Sequence, residues 1–257
     1  MEEKQLVRYH REGAVAVVTL DNPPLNLLTP TLLGQLKDVI EGAAKDKEVR
    51  AVILTAAGER AFCAGADVTT FKILPPGCHG VYGRMIMDTV SNCPMSVIAA
   101  IDGYCLGGGM ELALACDIRI ASEEAKIGLT EANLGLIAGY GGATRLPWLI
   151  GEGNAKLMIF TGDKFSGQEC KEMGVVQYVV PREELMNKAM SLAQKFATKG
   201  PISIAATKEI MAVARQGTTG AGFLQESVSG RRINGSYDAG EGIRALKDKR
   251  QPKFENR

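Results

Sequence analysis

Two short stretches of small residues could bring backbone N–H groups close to a ligand. They are Ala61–Val68 (AFCAGADV) and Ile98–Ile118 (IAAIDGYCLGGGMELALACDI), and the second contains Gly107-Gly108-Gly109. Three successive glycines cost conformational entropy, so they indicate a tight turn or a close approach to a ligand. A helix–sheet contact that requires small residues is the alternative. If an N–H from each stretch faced one point, the pair would form an oxyanion hole.

Two glutamates accompany these stretches. Glu111 follows the triple glycine in an otherwise apolar run, where glutamate is uncommon without a specific reason, although it could simply stabilise the start of a helix. Glu131 precedes Gly135–Gly142 (GLIAGYGG), a segment that could form a concave wall. Taken alone, Glu131 is typical of a solvated surface acid. Together, the two glutamates beside glycine-rich turns predict a divided acid–base pair.

Composition narrows the class of protein. The 257 residues include 30 basic and 29 acidic side chains, for a net charge of +1, which argues against nucleic acid or a membrane as the main partner. The histidines, His10 and His79, are predicted to lie at the surface. The six cysteines form no CxxC pair and the N-terminus resembles no signal peptide, so we expect reduced thiols and a cytoplasmic protein.

Apolar runs predict the strands. Val15–Leu20 is rich in β-branched residues and ends at a proline-containing turn, and further strands are expected along the chain. Their predicted ranges are Val49–Ala57, Val97–Ile101, Ile118–Ala121 and Val175–Val180. Strands that alternate with helices favour an α/β fold with parallel strands.

Capping and breaker residues predict the helices. Thr29-Pro30 is a helix start, and Ser166–Glu169 is a capping box whose helix is closed by Gly174. Other helices are predicted at Met110–Cys116, Arg182–Lys199, Pro201–Gln216, Gly222–Ile233 and from Asp238. Phe71–Arg84 (FKILPPGCHGVYGR) is predicted to be a loop, either a lid or specificity segment or a solvent loop without a role.

These motifs resemble the enoyl-CoA hydratase/isomerase, or crotonase, superfamily. Ile98–Ile118 is similar to its signature of an apolar strand, a D/N-G turn, a glycine cluster and a helix, and Phe62–Asp67 is similar to its upstream motif. The ending Lys249–Phe254 (KRQPKF) is similar to the family's K-R-x-P-x-F. The likeness covers nearly the whole chain. It departs from many short-chain hydratases at Leu129-Thr130 and Ala138, and Thr69 replaces a common lysine.

The resemblance implies a fold and an assembly. The expected fold is α/β, with a crotonase-like ββα spiral core over residues 1–195. A helical C-terminal region over residues 196–257 would form a homotrimer or a dimer of trimers, as part of one functional unit.

The resemblance also implies a site. The N–H groups of Ala66 and Gly108 would form the oxyanion hole for an acyl-CoA thioester. Glu111 would take a proton from water, and Glu131 would hold that water and protonate the α-carbon. The edge that binds coenzyme A would include Ala64, Gly65, Ala66, Asp67 and Val68 as well as Gly108. No metal or redox cofactor is expected, since coenzyme A is part of the substrate.

Three functions therefore follow as hypotheses. The first is reversible syn hydration of a 2-enoyl-CoA. The second is hydration of a branched enoyl-CoA or a cyclic dienoyl-CoA, with isomerase or hydrolase chemistry on the same fold as a further alternative. The third, from a different class, is a non-catalytic binding protein, for example for RNA, which the near-zero net charge disfavours.

Overall fold

Ten strands form two sheets in the computed structural model, which describes residues 4–73, 75 and 78–257, without the side chain of Lys72. The larger sheet has the order β1-β2-β3-β5-β7-β10, and all its pairs are parallel except β1 with β2. Its strands are β1 (Val7–Glu12), β2 (Val15–Leu20), β3 (Ala51–Ala56), β5 (Ser96–Ile101), β7 (Ile118–Ser122) and β10 (Tyr178–Val180).

The smaller sheet has the order β4-β6-β8-β9, with parallel pairs except β8 with β9. Its strands are β4 (Ala61–Cys63), β6 (Tyr104–Leu106), β8 (Lys126–Gly128) and β9 (Phe165–Ser166). The helices are α1 (Pro30–Lys45), α2 (Cys78–Ser91), α3 (Gly108–Ala115), α4 (Gly142–Thr161), α5 (Gly167–Glu172), α6 (Leu185–Ala197), α7 (Pro201–Gln216), α8 (Thr219–Asn234) and α9 (Tyr237–Lys247). Among the helices of the described residues, none has the length and apolar character needed to cross a membrane.

The core is a spiral of ββα units. Three times in succession, one strand enters the large sheet, the next enters the small sheet, and a helix follows: β3-β4-α2, β5-β6-α3 and β7-β8-α4. Both faces of the large sheet are covered, because alternate residues of its strands pack on α1–α3 or on Leu185, Ala189 and Ala193 of α6. This explains why these strands are continuously apolar. The predicted α/β spiral with a helical C-terminal region is confirmed.

Most predicted elements occur, with corrections at their ends. The N-cap at Thr29, the capping box at Ser166 and the helix Pro201–Gln216 are confirmed. The strand predicted from Val175 begins only at Tyr178, because Val175 and Val176 donate to the carbonyl of Cys170 in a turn.

Two further predictions need correction. Arg182–Glu184 forms a 3₁₀ turn, and the helix α6 begins after it. Residues 74, 76 and 77 of the predicted loop Phe71–Arg84 lie outside the described residues. The loop prediction is wrong for residues 78–84, which form the start of α2. His79 and Gly83 are buried there against the rest of the fold, and this packing outweighs the low helix propensity of glycine.

Candidate active site

The glycine turn between β6 and α3 places a helix start directly on the small sheet. Gly107 adopts φ +51° and ψ −125°, a conformation that favours glycine, and its N–H donates to the carbonyl of Gly128 at 2.9 Å. A Cβ atom on Gly109 would overlap the carbonyl oxygen of Cys63 at the end of β4. Turn geometry therefore accounts for the glycine at position 107, and close packing of the helix on the sheet accounts for the glycine at position 109.

The predicted oxyanion donors lie side by side at this turn. The ideal Cβ position of Gly108 is 3.2 Å from the nitrogen of Ala66. The Ala66 segment is fixed by Leu28, which donates its N–H to the carbonyl of Gly65 at 2.9 Å and accepts from Asp67 at 3.1 Å. Among the described residues, no acceptor is bonded to the N–H of Ala66 or of Gly108. Both donors therefore remain available to a ligand oxygen, with that of Gly108 at the N-terminus of α3.

Glu111 is buried in the first turn of α3, with only 2% of its surface exposed. Its Oε1 accepts a 2.7 Å hydrogen bond from the N–H of Gly142, the first residue of α4. Burial raises the pKa of Glu111 to about 8, against the opposing effect of the Gly142 N–H, and the nearby Glu131 raises it further. A carboxyl group with a pKa near neutrality is suited to exchanging protons.

Glu131 reaches the same turn from the other side. It begins a one-turn 3₁₀ helix, Glu131–Leu134, and its Oε1 is 3.2 Å from the ideal Cβ position of Gly107. Its Oε2 is buried and has no hydrogen-bond partner among the described residues. Burial also raises the pKa of Glu131. The carboxylate is thus turned toward the glycine turn, unlike the solvated surface acid that the residue would suggest alone.

The segment predicted to bind coenzyme A forms one edge of this arrangement. Ala64 donates its N–H to the carbonyl of Leu25 at 2.9 Å, so its backbone is fixed. The carboxylate of Asp67 accepts from the N–H and hydroxyl of Thr69 and caps the 3₁₀ helix Val68–Lys72. Val68 is exposed. Ala64–Val68 therefore combines a fixed backbone beside the oxyanion donors with an accessible apolar side chain.

Sequence reasoning missed three neighbours of the site. Gly142, which holds Glu111, and Tyr140 both belong to the segment predicted to form a concave wall of the pocket, but neither was singled out as a site residue. His79 was predicted at the surface, and this is wrong: it is 7% exposed, and its Nδ1 is 2.6 Å from the Tyr140 hydroxyl. The one available signal was the spacing of His79 and Gly83, which places both on one face of a helix.

Comparisons with known proteins point to one family. The model of the enoyl-CoA hydratase/isomerase family matches residues 10–257. The chain is 38% identical to a probable enoyl-CoA hydratase of Bacillus subtilis, over 93% of this chain and 95% of that protein. It is 37% identical to a short-chain-enoyl-CoA hydratase of Clostridium acetobutylicum, over 96% and 97%. The crystal structure of an enoyl-CoA hydratase from Bacillus anthracis superposes with a TM-score of 0.93 at 39% identity, covering 98% of this chain and all of that one (100%).

Proposed function

The chain is an enzyme of the enoyl-CoA hydratase/isomerase family, and from that premise we propose that it adds water reversibly across the 2,3-double bond of an enoyl-CoA. One observation carries the proposal. Two carboxyl groups, those of Glu111 and Glu131, approach the turn that also holds the oxyanion donors. Hydration requires one group to accept a proton from water and another to deliver a proton to carbon, and this site has both.

The N–H groups of Ala66 and Gly108 bind the thioester carbonyl oxygen in this mechanism. That oxygen gains negative charge as the enolate forms, and fixed donors stabilise the charge without reorganising. Loss of one such donor typically costs about 2.7–4 kcal/mol of transition-state stabilisation. The ligand is an acyl-CoA, whose coenzyme A portion lies along Ala64–Val68.

The carboxyl groups move the protons. Ionised Glu111 removes a proton from water as the hydroxide oxygen bonds to the β-carbon, and the electrons of the double bond move onto the thioester oxygen. Protonated Glu131 then gives its proton to the α-carbon as the enolate collapses. Proton exchange between the two carboxyl groups restores both for the next turnover. No electrons leave the substrate and water, so the proposed reaction needs no redox cofactor.

The proposal extends to assembly, as a homotrimer or a dimer of trimers. Large apolar side chains are exposed on α4, α7 and α8, as large exposed apolar surfaces commonly are where subunits meet. They are Trp148, Phe160, Met211, Phe223 and Leu224. The division into a spiral core over residues 1–195 and a trimerisation region over 196–257 remains part of this proposal, as does the cytoplasmic setting. Sedimentation of the whole chain tests the assembly.

Loss of the conjugated enoyl-thioester absorbance tests the reaction. We expect turnover with at least one of crotonyl-CoA, a branched enoyl-CoA and a cyclic dienoyl-CoA, and the ranking identifies the acyl group. Glu131→Gln should lower kcat by roughly 10²–10⁴-fold while acyl-CoA binding persists. The control is Glu48→Gln, at an exposed glutamate after α1. Full activity of Glu131→Gln, or no turnover by the unaltered enzyme, would reject the hydratase proposal.

A further inference from the structure

The ring of Tyr140 is buried between α2 and the oxyanion turn. Only 4% of the residue is exposed. On one side, a Cβ atom on Gly83 of α2 would overlap the ring, so a glycine at this position leaves room for it. On the other side, the Cδ2 atom of the ring is 3.5 Å from the ideal Cβ position of Gly108. The ring therefore spans the space between helix α2 and one of the oxyanion donors.

His79 fixes the hydroxyl end of Tyr140. The hydroxyl is 2.6 Å from Nδ1 of His79, which lies one helical turn before Gly83 on the same face of α2. The imidazole packs against Phe71 in a tilted arrangement, with ring centroids 4.1 Å apart. Burial lowers the pKa of His79, which favours the neutral imidazole. Because the hydroxyl is engaged on α2, the face and edge of the ring are what Tyr140 presents to the site.

The acyl chain of a bound substrate must pass this ring. Its carbonyl oxygen would lie at Ala66 and Gly108, and its β-carbon must lie near Glu111. The Glu111 carboxylate is bonded to Gly142, two residues after Tyr140. Beside Gly108, the nearest side chains are Leu28, with Cδ1 3.2 Å from the ideal Cβ position, and Tyr140. Leu28 and Tyr140 are therefore the side chains placed to meet acyl carbons beyond the β-carbon.

We propose that Tyr140, held by His79 and accommodated by Gly83, closes the acyl-binding side of the site and restricts the substrate to short acyl chains. The inference rests on the proposed hydratase function and adds its substrate class. Tyr140 acts here as a specificity residue through the bulk of its ring. A pocket that excludes one methylene typically discriminates by roughly 10–200-fold, so exclusion of several carbons gives a large preference.

The test compares kcat/KM for crotonyl-CoA and trans-2-decenoyl-CoA on the same preparation of each variant. A ratio cancels any loss of folded protein. The unaltered enzyme should prefer crotonyl-CoA by at least about 100-fold, and Tyr140→Ala should reduce that preference by about tenfold or more. Tyr140→Phe, the matched control, keeps the ring and should keep the ratio. If Tyr140→Ala does not fold, Tyr140→Leu is expected to shift the ratio in the same direction.

Three results would overturn the inference while leaving the hydratase function intact. The unaltered enzyme could hydrate both substrates equally well. The alanine or leucine variant could lower both rates in proportion. Tyr140→Phe could shift the ratio as much as Tyr140→Ala, which would assign selectivity to the hydroxyl. If no enoyl-CoA is turned over, the relative Kd of butyryl-CoA and decanoyl-CoA tests the wall separately, and an unchanged Kd ratio in Tyr140→Ala overturns it.

Discussion

Glu111 and Glu131 approach one glycine turn from regions of opposite character. Glu111 stands on α3, a helix whose eight residues are all buried, and a backbone N–H binds its carboxylate. Glu131 begins a one-turn 3₁₀ helix with no buried residue, and one of its carboxylate oxygens has no partner in the part of the chain that the structure describes. The core thus fixes one carboxylate in place, while a surface segment carries the other.

This difference bears on how the two groups could divide the chemistry. A carboxylate that accepts a hydrogen bond at a helix N-terminus is held in position and stabilised as an anion. A carboxyl group with an unpartnered oxygen can bind the substrate water or, when protonated, give its proton to carbon without first breaking a protein hydrogen bond. Substitutions in the two regions should therefore have different consequences.

Removal of both ionisable groups should have the largest effect. Glu111→Gln should lower kcat by roughly 10²–10⁴-fold, because an amide cannot take a proton from water. The double variant with Glu131→Gln should lose little more than the slower single variant, since groups that act as a unit are strongly non-additive. Single-turnover rates of the three variants check this. Losses that multiply would mean that the two regions act independently.

Gly109→Ala should disrupt the packing of α3, which carries Glu111, and leave the Glu131 segment in place. The added methyl group would overlap the Cys63 carbonyl, so the start of α3 must move together with the N–H of Gly108. We expect kcat to fall by about 10²–10³-fold through the oxyanion donor, and stability to fall by roughly 1–3 kcal/mol through overpacking. Gly153→Ala, in α4 with no atom within 4 Å of the new Cβ, is the control. Equal kcat values for the two variants would contradict the role assigned to this contact.

The sequence predicted the strands of the large sheet better than those of the small sheet. The long buried strands β2, β3, β5 and β7 are apolar over most of their length and were found. The small sheet was missed because β4, β6 and β8 have three residues each, too few to show a period. Strand β1 was missed because half of its residues are charged and it lies at the sheet edge. The ββα repeat has no repeated residue pattern and appears only in the topology.

Within the site, residue types were enough to predict candidate residues, but their tertiary contacts were not predicted. Triple glycine and an acid in an apolar run identified Gly108 and Glu111 as candidates from local sequence. The bond from Gly142 to Glu111 joins residues 31 positions apart, and it depends on where α4 begins. The pairing of Tyr140 with His79 spans 61 positions. Neither contact has a local signature, whereas the acid of Glu111 within an apolar run does.

The stability of the buried region should depend on pH through Glu111. Its folded-state pKa of about 8 lies above the ordinary value of 4.5, so the folded protein binds more protons than the unfolded chain between those values. Ionisation of the buried Glu111 carboxyl group therefore imposes a penalty on the stability of the folded protein, which grows as pH rises from 4.5 through 8. Glu111→Gln removes this penalty, and at pH 9 it should be more stable than the unaltered enzyme by a few kcal/mol, with one pKa unit worth about 1.36 kcal/mol.

Denaturant unfolding at pH 5 and at pH 9 measures this effect. The two proteins should differ little at pH 5, where Glu111 is protonated in the folded state. The same measurement on Glu48→Gln should show no such change between the two pH values. A Glu111→Gln variant that is no more stable at pH 9 than at pH 5, relative to the unaltered enzyme, would show that the carboxylate is better solvated than its burial indicates.

Asn133→Ala should have the smallest effect and should act on the surface segment alone. The Asn133 side chain lies two residues after Glu131 and donates to the carbonyl of Gly162 at 2.8 Å, which ties the 3₁₀ helix to the end of α4. Its loss costs about 0.5–1.5 kcal/mol of local stability, so we expect kcat to fall a few-fold with KM nearly unchanged. Asn154→Ala removes an exposed asparagine from the middle of α4 and should leave kcat as it is. If Asn133→Ala also leaves kcat unchanged, the position of Glu131 is set by the glycine turn that it faces. Glu131 would then be held as firmly as Glu111, although its segment is less buried.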